Sequence, residues 1–430
     1  MDAQAQSLNT TIEKVNPNLL KMLSPKGRDI FFPKLGILSQ SAQARGKNIN
    51  ATIGEAREDD GSPIYLDAFD TFLKIKPQES FPYAPSYGKP ELRDKWKEFI
   101  YAKNPSLGTT LLSRPVATCG LTHGLSTVGY LFSGPGDIVL ISDLYWENYD
   151  LIFCNGFGAK VDTFELFKNG GFNIHSLAQK LTLSRQDKIV LLLNFPNNPS
   201  GYTPLSTEVD NMVGEIEKAA RSGKQVVVII DDAYFGLVYE ENVFTESIFV
   251  KLVSLHENIL AVKLDGPTKE DYVWGFRVGF ITYGIKGGTA ELYEALESKT
   301  AGAIRGNISN ISHLSQSLLL NVYISKEYEA QKQRKYSILK RRYNILKDCI
   351  YNKKYSEYFE PLPFNSGYFM CVALKKGLIA EKIRLHLLEK YSTGVIVFGN
   401  VIRLAFSAIP DDKIPELAEN LFHACSDLDQ

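Results

Sequence analysis

The sequence predicts an α/β protein built on a mostly parallel sheet with helices on both faces. Three observations carry this prediction. Short unbroken Val/Ile/Leu runs, such as VVVII at 226–230 and IVLLL at 189–193, alternate with amphipathic helical stretches, the pattern of strands buried on both sides. Several of these runs close on polar, turn-forming motifs, which puts reactive side chains at strand ends, where open α/β sheets bind ligands. At 430 residues the chain also exceeds what one hydrophobic core usually supports, so a large domain and a smaller one are expected.

Taken in order, the first twenty or so residues are polar and expected to be loose. Residues 27–43 mix apolar and small side chains, and NINATIGEAREDDGSP then closes on the turn-rich Asp59-Asp60-Gly61-Ser62-Pro63. Two prolines and a glycine exclude a helix from Phe81 to Gly88. Directly after it, Pro90 to Lys103 reads as a helix with Leu92, Trp96, Phe99 and Ile100 on one face and proline where a first turn tolerates it. Strands are predicted at Val116–Cys119, Ile138–Ile141, Ile189–Leu193 and Val226–Ile230, with helices through Leu131 and from Thr207 to Arg221. The runs ILAVKL and VGFITYG flank a loop holding Lys269. A long charged helical stretch from Ser315 to Tyr351 could bridge two domains. The tail repeats the α/β pattern, with a strand at Gly367–Ala373, a helix at Ile379–Tyr391 and a strand at Val401–Ser407. We therefore expect an N-terminal arm and part of a small domain over 1–64, a large sheet domain over 65–318, and a bridging helix with a small C-terminal domain over 319–430.

Composition narrows the function. With 44% hydrophobic and 23% charged residues the chain is an ordinary globular protein, and a formal net charge of −1 gives no reason to expect a nucleic-acid or membrane partner. The basic cluster Lys340-Arg341-Arg342 lies in a helical pattern and reads as a solvated face. Five scattered cysteines with no C-x-x-C pair fit a reducing compartment, and six histidines show no metal-ligand spacing. The opening residues lack a basic start followed by an apolar core, and no run approaches a membrane span, so a cytoplasmic enzyme is expected.

The polar motifs supply candidates for chemistry. Lys269 sits between two strand-like runs, where burial can lower its pKa enough for attack on a carbonyl. Asp231 and Asp232 end VVVII, and strand alternation puts their side chains on opposite faces, so one of them can serve a site there. Gly120-Leu121-Thr122 lies between a strand and an apolar helix, whose N-terminus offers free N–H groups and a dipole suited to phosphate. Arg403 lies inside an apolar strand, where an arginine needs a reason to be. Asn198 lies in the turn-forming Asn197-Asn198-Pro199-Ser200-Gly201.

In this order the motifs resemble those of fold-type I, pyridoxal-phosphate-dependent aminotransferases of class I/II, the group that includes aspartate and aromatic amino-acid aminotransferases. The resemblance runs from about Ile53 to Arg403. It implies a central seven-stranded sheet with a smaller α/β domain made from both termini, and pyridoxal 5'-phosphate as cofactor. Lys269 matches the Schiff-base lysine and Arg277, eight residues on in Gly275-Phe276-Arg277-Val278-Gly279, the phosphate-binding arginine. Of the two aspartates the resemblance selects Asp231 as the partner of the pyridinium nitrogen. Tyr234 and Asn198 match donors to the ring oxygen, and Trp146 the aromatic that stacks on the ring. Gly120, Leu121, Thr122 and Thr268 fall on the phosphate site, and Tyr83 on a tyrosine that reaches the phosphate of a neighbouring subunit, implying a homodimer with shared active sites. Arg403 matches the arginine that clamps the substrate α-carboxylate, Gly54 the segment over the substrate, and Arg305 an arginine for a second carboxylate.

The implied activity is transfer of an amino group from an L-amino acid, aromatic or acidic favoured, to a 2-oxo acid such as 2-oxoglutarate. The same site could serve a lyase that eliminates or decarboxylates. A non-catalytic ligand sensor is a further reading, disfavoured because no basic recognition helix stands out. The chain departs from the pattern at Gly266, where a serine is common, and at Leu121, Leu144 and Ser200.

Overall fold

The computed structural model describes residues 1–33 and 36–429. Seven strands form the main sheet: β1 (Val116–Thr118), β2 (Ile138–Ser142), β3 (Lys160–Phe164), β4 (Lys188–Asn194), β5 (Gln225–Asp231), β6 (Ile259–Asp265) and β7 (Gly279–Ile285). Their spatial order is β1-β7-β6-β5-β4-β2-β3. β7 runs antiparallel to both β1 and β6, and the remaining pairs are parallel.

β5 shows why unbroken apolar runs were needed. Val226, Val228 and Ile230 enter the larger core, while Val227 and Ile229 enter a second core on the other face. Helix Ser206–Arg221 covers the first face with Val209, Met212, Val213 and Ile216, and helix Gly120–Phe132 covers the second with Leu125 and Val128. Each such side chain contributes about 1.5–3 kcal/mol by leaving water. Helix Pro90–Lys103 forms as its pattern requires, burying Leu92, Trp96 and Ile100. Trp96 stacks on Phe280 with ring centroids 4.6 Å apart and donates from Nε1 to Asp265 at 2.9 Å, which fixes the C-terminal end of β6.

A second, antiparallel sheet comprises β8 (Phe359–Pro361), β9 (Phe369–Leu374), β10 (Ile396–Phe398) and β11 (Val401–Ala405) in the order β8-β9-β11-β10. The N-terminal segment joins it: Ile49–Asn50 pairs with Thr393–Gly394, and the Ala405 N–H donates to the Ala51 carbonyl at 2.9 Å. The cavity described below opens between this segment and the C-terminal ends of β4 and β5.

Three expectations need correction. The first residues are ordered as helix Ala3–Val15, capped by Asp2, with Asn16 capping the next helix, Pro17–Met22. Only Ala5 of the first helix is buried, so its apolar periodicity is too weak to announce it. The stretch Ser315–Tyr351 is two helices, His313–Tyr323 and Tyr328–Ile350. The turn between them lets Tyr323 and Tyr328 both donate to Asp271, at 2.9 and 2.8 Å. An unbroken helix would set residues five apart about 140° from one another. Lys269, expected in a loop, lies on the single helical turn Pro267–Glu270. No described helix is long and apolar enough to cross a membrane.

Candidate active site

The C-terminal ends of the parallel strands meet the N-terminal segment at a cavity of about 860 Å³. Lys269, Asp231, Tyr234, Asn198, Trp146, Thr268, Arg277, Arg403, Leu121, Thr122 and Gly54 all line it. These residues come from stretches far apart in the sequence, so the fold alone brings them together.

Lys269 is half-buried, its Nζ 5.1 Å from the centre of the Tyr234 ring. Burial lowers its pKa to about 8; Asp231 opposes this and the charge of Arg277 reinforces it. The turn that carries it is pinned from both sides. Tyr368 donates to the Lys269 carbonyl at 2.7 Å, Glu270 pairs with Lys103 at 2.8 Å and Lys332 at 2.6 Å, and Asp271 holds the two tyrosines. A flexible side chain thus hangs from a fixed backbone.

Asp231 closes β5 and is 3% exposed. Burial raises its pKa, countered by Tyr149, whose hydroxyl donates to Oδ2 at 2.6 Å, by Lys269, and by the Ala233 N–H at 3.1 Å. Its neighbour Asp232 points elsewhere, into an ion pair with Lys263 and a hydrogen bond from Ser247 at 2.6 Å. Tyr149 was not foreseen. It follows Trp146 by one helical turn and packs edge-on against it at 5.6 Å, and nothing in the sequence separates it from other core tyrosines.

At one end of the cavity, helix Gly120–Phe132 begins without a side-chain cap, leaving first-turn N–H groups free. Gly120 has φ +70°, and a Cβ there would lie 2.6 Å from Arg277 Nη2. The glycine therefore lets the guanidinium lie against the helix start. Arg277 has φ +53°, and among the described residues its side chain makes one hydrogen bond, to the Trp274 carbonyl at 3.1 Å. Two departures from the family pattern lie side by side here. A side chain at Gly266 would meet the Gly279 Cα at 2.9 Å, the Val278 carbonyl oxygen at 3.0 Å and Leu121 Cδ1 at 3.0 Å, so the backbone of β7 and the residue before it, as well as Leu121, crowd the place of a serine.

At the other end, Arg403 on β11 donates to Asn198 Oδ1 at 3.2 Å and to the Thr52 carbonyl at 3.1 Å, and its guanidinium lies 4.2 Å over Phe369. Its Nε is buried with no acceptor among the described residues. Asn198 is held by its own N–H, which donates to Asn194 Oδ1 at 2.9 Å. Tyr83, 90% exposed, and Arg305, exposed and donating to Ser309 at 3.1 Å, are not among the residues lining the cavity. Glu58 and Asp59, in the segment after Gly54, pair with Lys335 and Arg342 and have structural work there.

The sheet order, the crevice and the second sheet at its mouth define a fold-type I α/β enzyme. The family model for aminotransferase class I and II matches residues 47–421, and the chain belongs to that family. It is 23% identical over 326 residues to the mitochondrial aspartate aminotransferase of Schizosaccharomyces pombe, covering 71% of each chain. An aminotransferase from Anaerococcus prevotii superposes with a TM-score of 0.82 at 25% identity, covering 94% of this chain and 99% of that one. The kynurenine aminotransferase of Pyrococcus horikoshii gives 0.78 at 17% identity, over 95% and 98%. The chain is a transaminase.

Proposed function

We propose that the chain binds pyridoxal 5'-phosphate at Lys269 and moves an amino group from an L-amino acid to a 2-oxo acid such as 2-oxoglutarate. The observation that carries this is one cavity holding a lysine of lowered pKa, a buried carboxylate and three arginines, Arg57, Arg277 and Arg403, without carboxylate partners among the described residues. The donor set suits the cofactor. Uncapped N–H groups beside Gly120, with Thr122, Thr268 and Arg277, suit a phosphate; Asp231 suits a ring nitrogen; Asn198 and Tyr234 suit a ring oxygen; and Trp146 suits a ring face. When bound, the cofactor supplies an aldehyde for amine capture and a ring that takes up the electron pair left at the substrate α-carbon.

The chain's own groups do the rest. Arg403, braced by Asn198 and Thr52, grips the α-carboxylate with its planar fork. Lys269 Nζ, with a pKa near 8, takes and returns the α-proton. Asp231, held by Tyr149, keeps its partner nitrogen charged. Tyr83, exposed on the single chain, is suited to complete the phosphate site of a second copy, so the working unit in this reading is a homodimer. Five unpaired cysteines suit a reducing, cytoplasmic setting. We place domain limits near 64 and at the helix break 324–327, because 318 falls inside helix His313–Tyr323.

The test is to incubate the holoenzyme with single amino acids and follow the cofactor spectrum. Conversion to the amine form with one equivalent of 2-oxo acid is the expected result. Release of ammonia with pyruvate would instead place the chain among the lyases.

A further inference from the structure

Buried polar atoms without partners cost about 1–3 kcal/mol each, so folded chains keep few of them. Among the described residues the buried N–H donors left without an acceptor are Arg403 Nε, Arg57 Nε and Trp274 Nε1, and all three residues line the same cavity. Arg403 is accounted for above. Arg57 and Trp274 are not. Both groups donate only, so no rotation lets them satisfy each other, and what they lack is an acceptor brought from outside the chain.

With Arg403, Arg57 also stands apart from the other enclosed arginines. Arg93 pairs with Glu297 at 2.8 Å, Arg342 with Asp59 at 2.8 Å, and Arg384 with Glu381 at 2.6 Å. No ion pair is formed by Arg57 among the described residues, although Glu55 lines the same cavity. Its backbone is nevertheless fixed. The Arg57 N–H donates to the Ser407 carbonyl at 3.1 Å, and its own carbonyl accepts from Arg342 at 2.6 Å. The same two segments carry Arg403 and the Thr52 carbonyl it grips. One rigid frame therefore presents two arginines to one cavity.

We propose that Arg57, with Trp274 Nε1 as second donor, receives the distal carboxylate of the substrate, so that the preferred substrates are an acidic amino acid and its dicarboxylic 2-oxo acid. This rests on the transaminase reading, with Arg403 at the α-carboxylate. It gives to Arg57 the role that sequence alone offered to Arg305, which lies on the exposed end of helix Ala290–Asn307.

The test compares holoenzymes carrying Arg57→Leu, Arg57→Lys and Arg305→Leu with the parent. Two quantities are read: the ratio of kcat/KM for glutamate to that for phenylalanine, and the Kd of maleate, an unreactive dicarboxylate, by absorbance titration. Arg57→Leu is expected to lower the ratio about 100-fold and weaken maleate similarly, because a site built around a carboxylate loses most when its charged donor goes. Arg57→Lys, which keeps the charge without the fork, should fall between the two and carries the test if the leucine variant does not fold. Arg305→Leu should leave the ratio unchanged. An unchanged ratio in both Arg57 variants, or the loss appearing in Arg305→Leu instead, would overturn the proposal. A parent enzyme that transaminates phenylalanine but neither turns over acidic donors nor binds maleate overturns this inference alone. A parent that forms no 2-oxo acid from any amino acid overturns the transaminase reading beneath it.

Discussion

Two lysines six residues apart face two adjacent aspartates, and the chain treats them in opposite ways. Lys263, on β6, is fully buried, ion-paired to Asp232 and to Asp265 at 3.3 Å, with its Nζ 4.5 Å from the centre of the Phe235 ring. Burial opposes its charge, but the two carboxylates outweigh burial and hold its pKa above the ordinary lysine value. Lys269 has no such partner in contact among the described residues, and burial takes its pKa down to about 8. The same residue types thus give a closed structural pair on one side of the chain and an open pair lining the cavity on the other. What separates them is whether the polar groups are satisfied within the fold.

The comparison can be broken most severely at Lys269. Lys269→Ala is expected to lower kcat for transamination by about 10⁴-fold or more, and borohydride should no longer fix the cofactor to the chain. Lys263→Met should do the reverse. It leaves Asp232 and Asp265 buried without their cation and is expected to cost about 3–5 kcal/mol in urea unfolding, with little change in kcat of the folded enzyme. Between these lies Tyr149→Phe, which removes a 2.6 Å bond to Asp231 while keeping the ring. That bond holds the Asp231 pKa down, so its loss should raise the pKa further and move the acid limb of the kcat/KM profile to higher pH. An activity loss of about 10- to 100-fold is expected.

The same contrast explains how far the sequence could be read. Six of the seven strands of the main sheet were legible because burial on both faces forces apolar runs, and the helix Pro90–Lys103 because its stripe and proline are local signals; the edge strand Lys160–Phe164, with one fully buried residue, escaped. Lys269, Asp231, Asn198 and Arg403 were legible because each sits on or beside such a strand, in a motif with fixed order. Strand alternation could separate Asp231 from Asp232 without saying which faces the cavity; that depends on Lys263, which looks in sequence like any residue of ILAVKL. Tyr149 and Trp274 escaped for the same reason, and Arg57 was legible only as part of Arg57-Glu58-Asp59-Asp60, a stretch resembling the aspartate/aromatic branch, without a role of its own. Their importance lies in what they touch, or fail to touch, across the fold, and no periodicity records that. The N-terminal helix escaped because it buries almost nothing.

The subtlest way to sharpen the comparison uses stability rather than turnover. In protein stripped of cofactor, Lys269 folds with a pKa near 8 and unfolds to one near the ordinary lysine value. Between those values the unfolded chain binds more protons, so the stability of the parent rises with pH across that window. Below pH 8 both states are protonated and the folded state carries the full cost of a half-buried ammonium. Lys269→Met should therefore be the more stable protein at pH 7, by on the order of 1–2 kcal/mol once screening by water is allowed for. The advantage should shrink as pH rises from 8 toward 10.5. Lys263→Met should show no such gain at any pH in that range, because its parent lysine is held charged by Asp232 and Asp265. Urea midpoints of the three proteins at pH 7 and pH 10 decide the matter: parallel curves for Lys269→Met and the parent would mean that the amine is not desolvated, and that the difference between the two lysines is one of position alone.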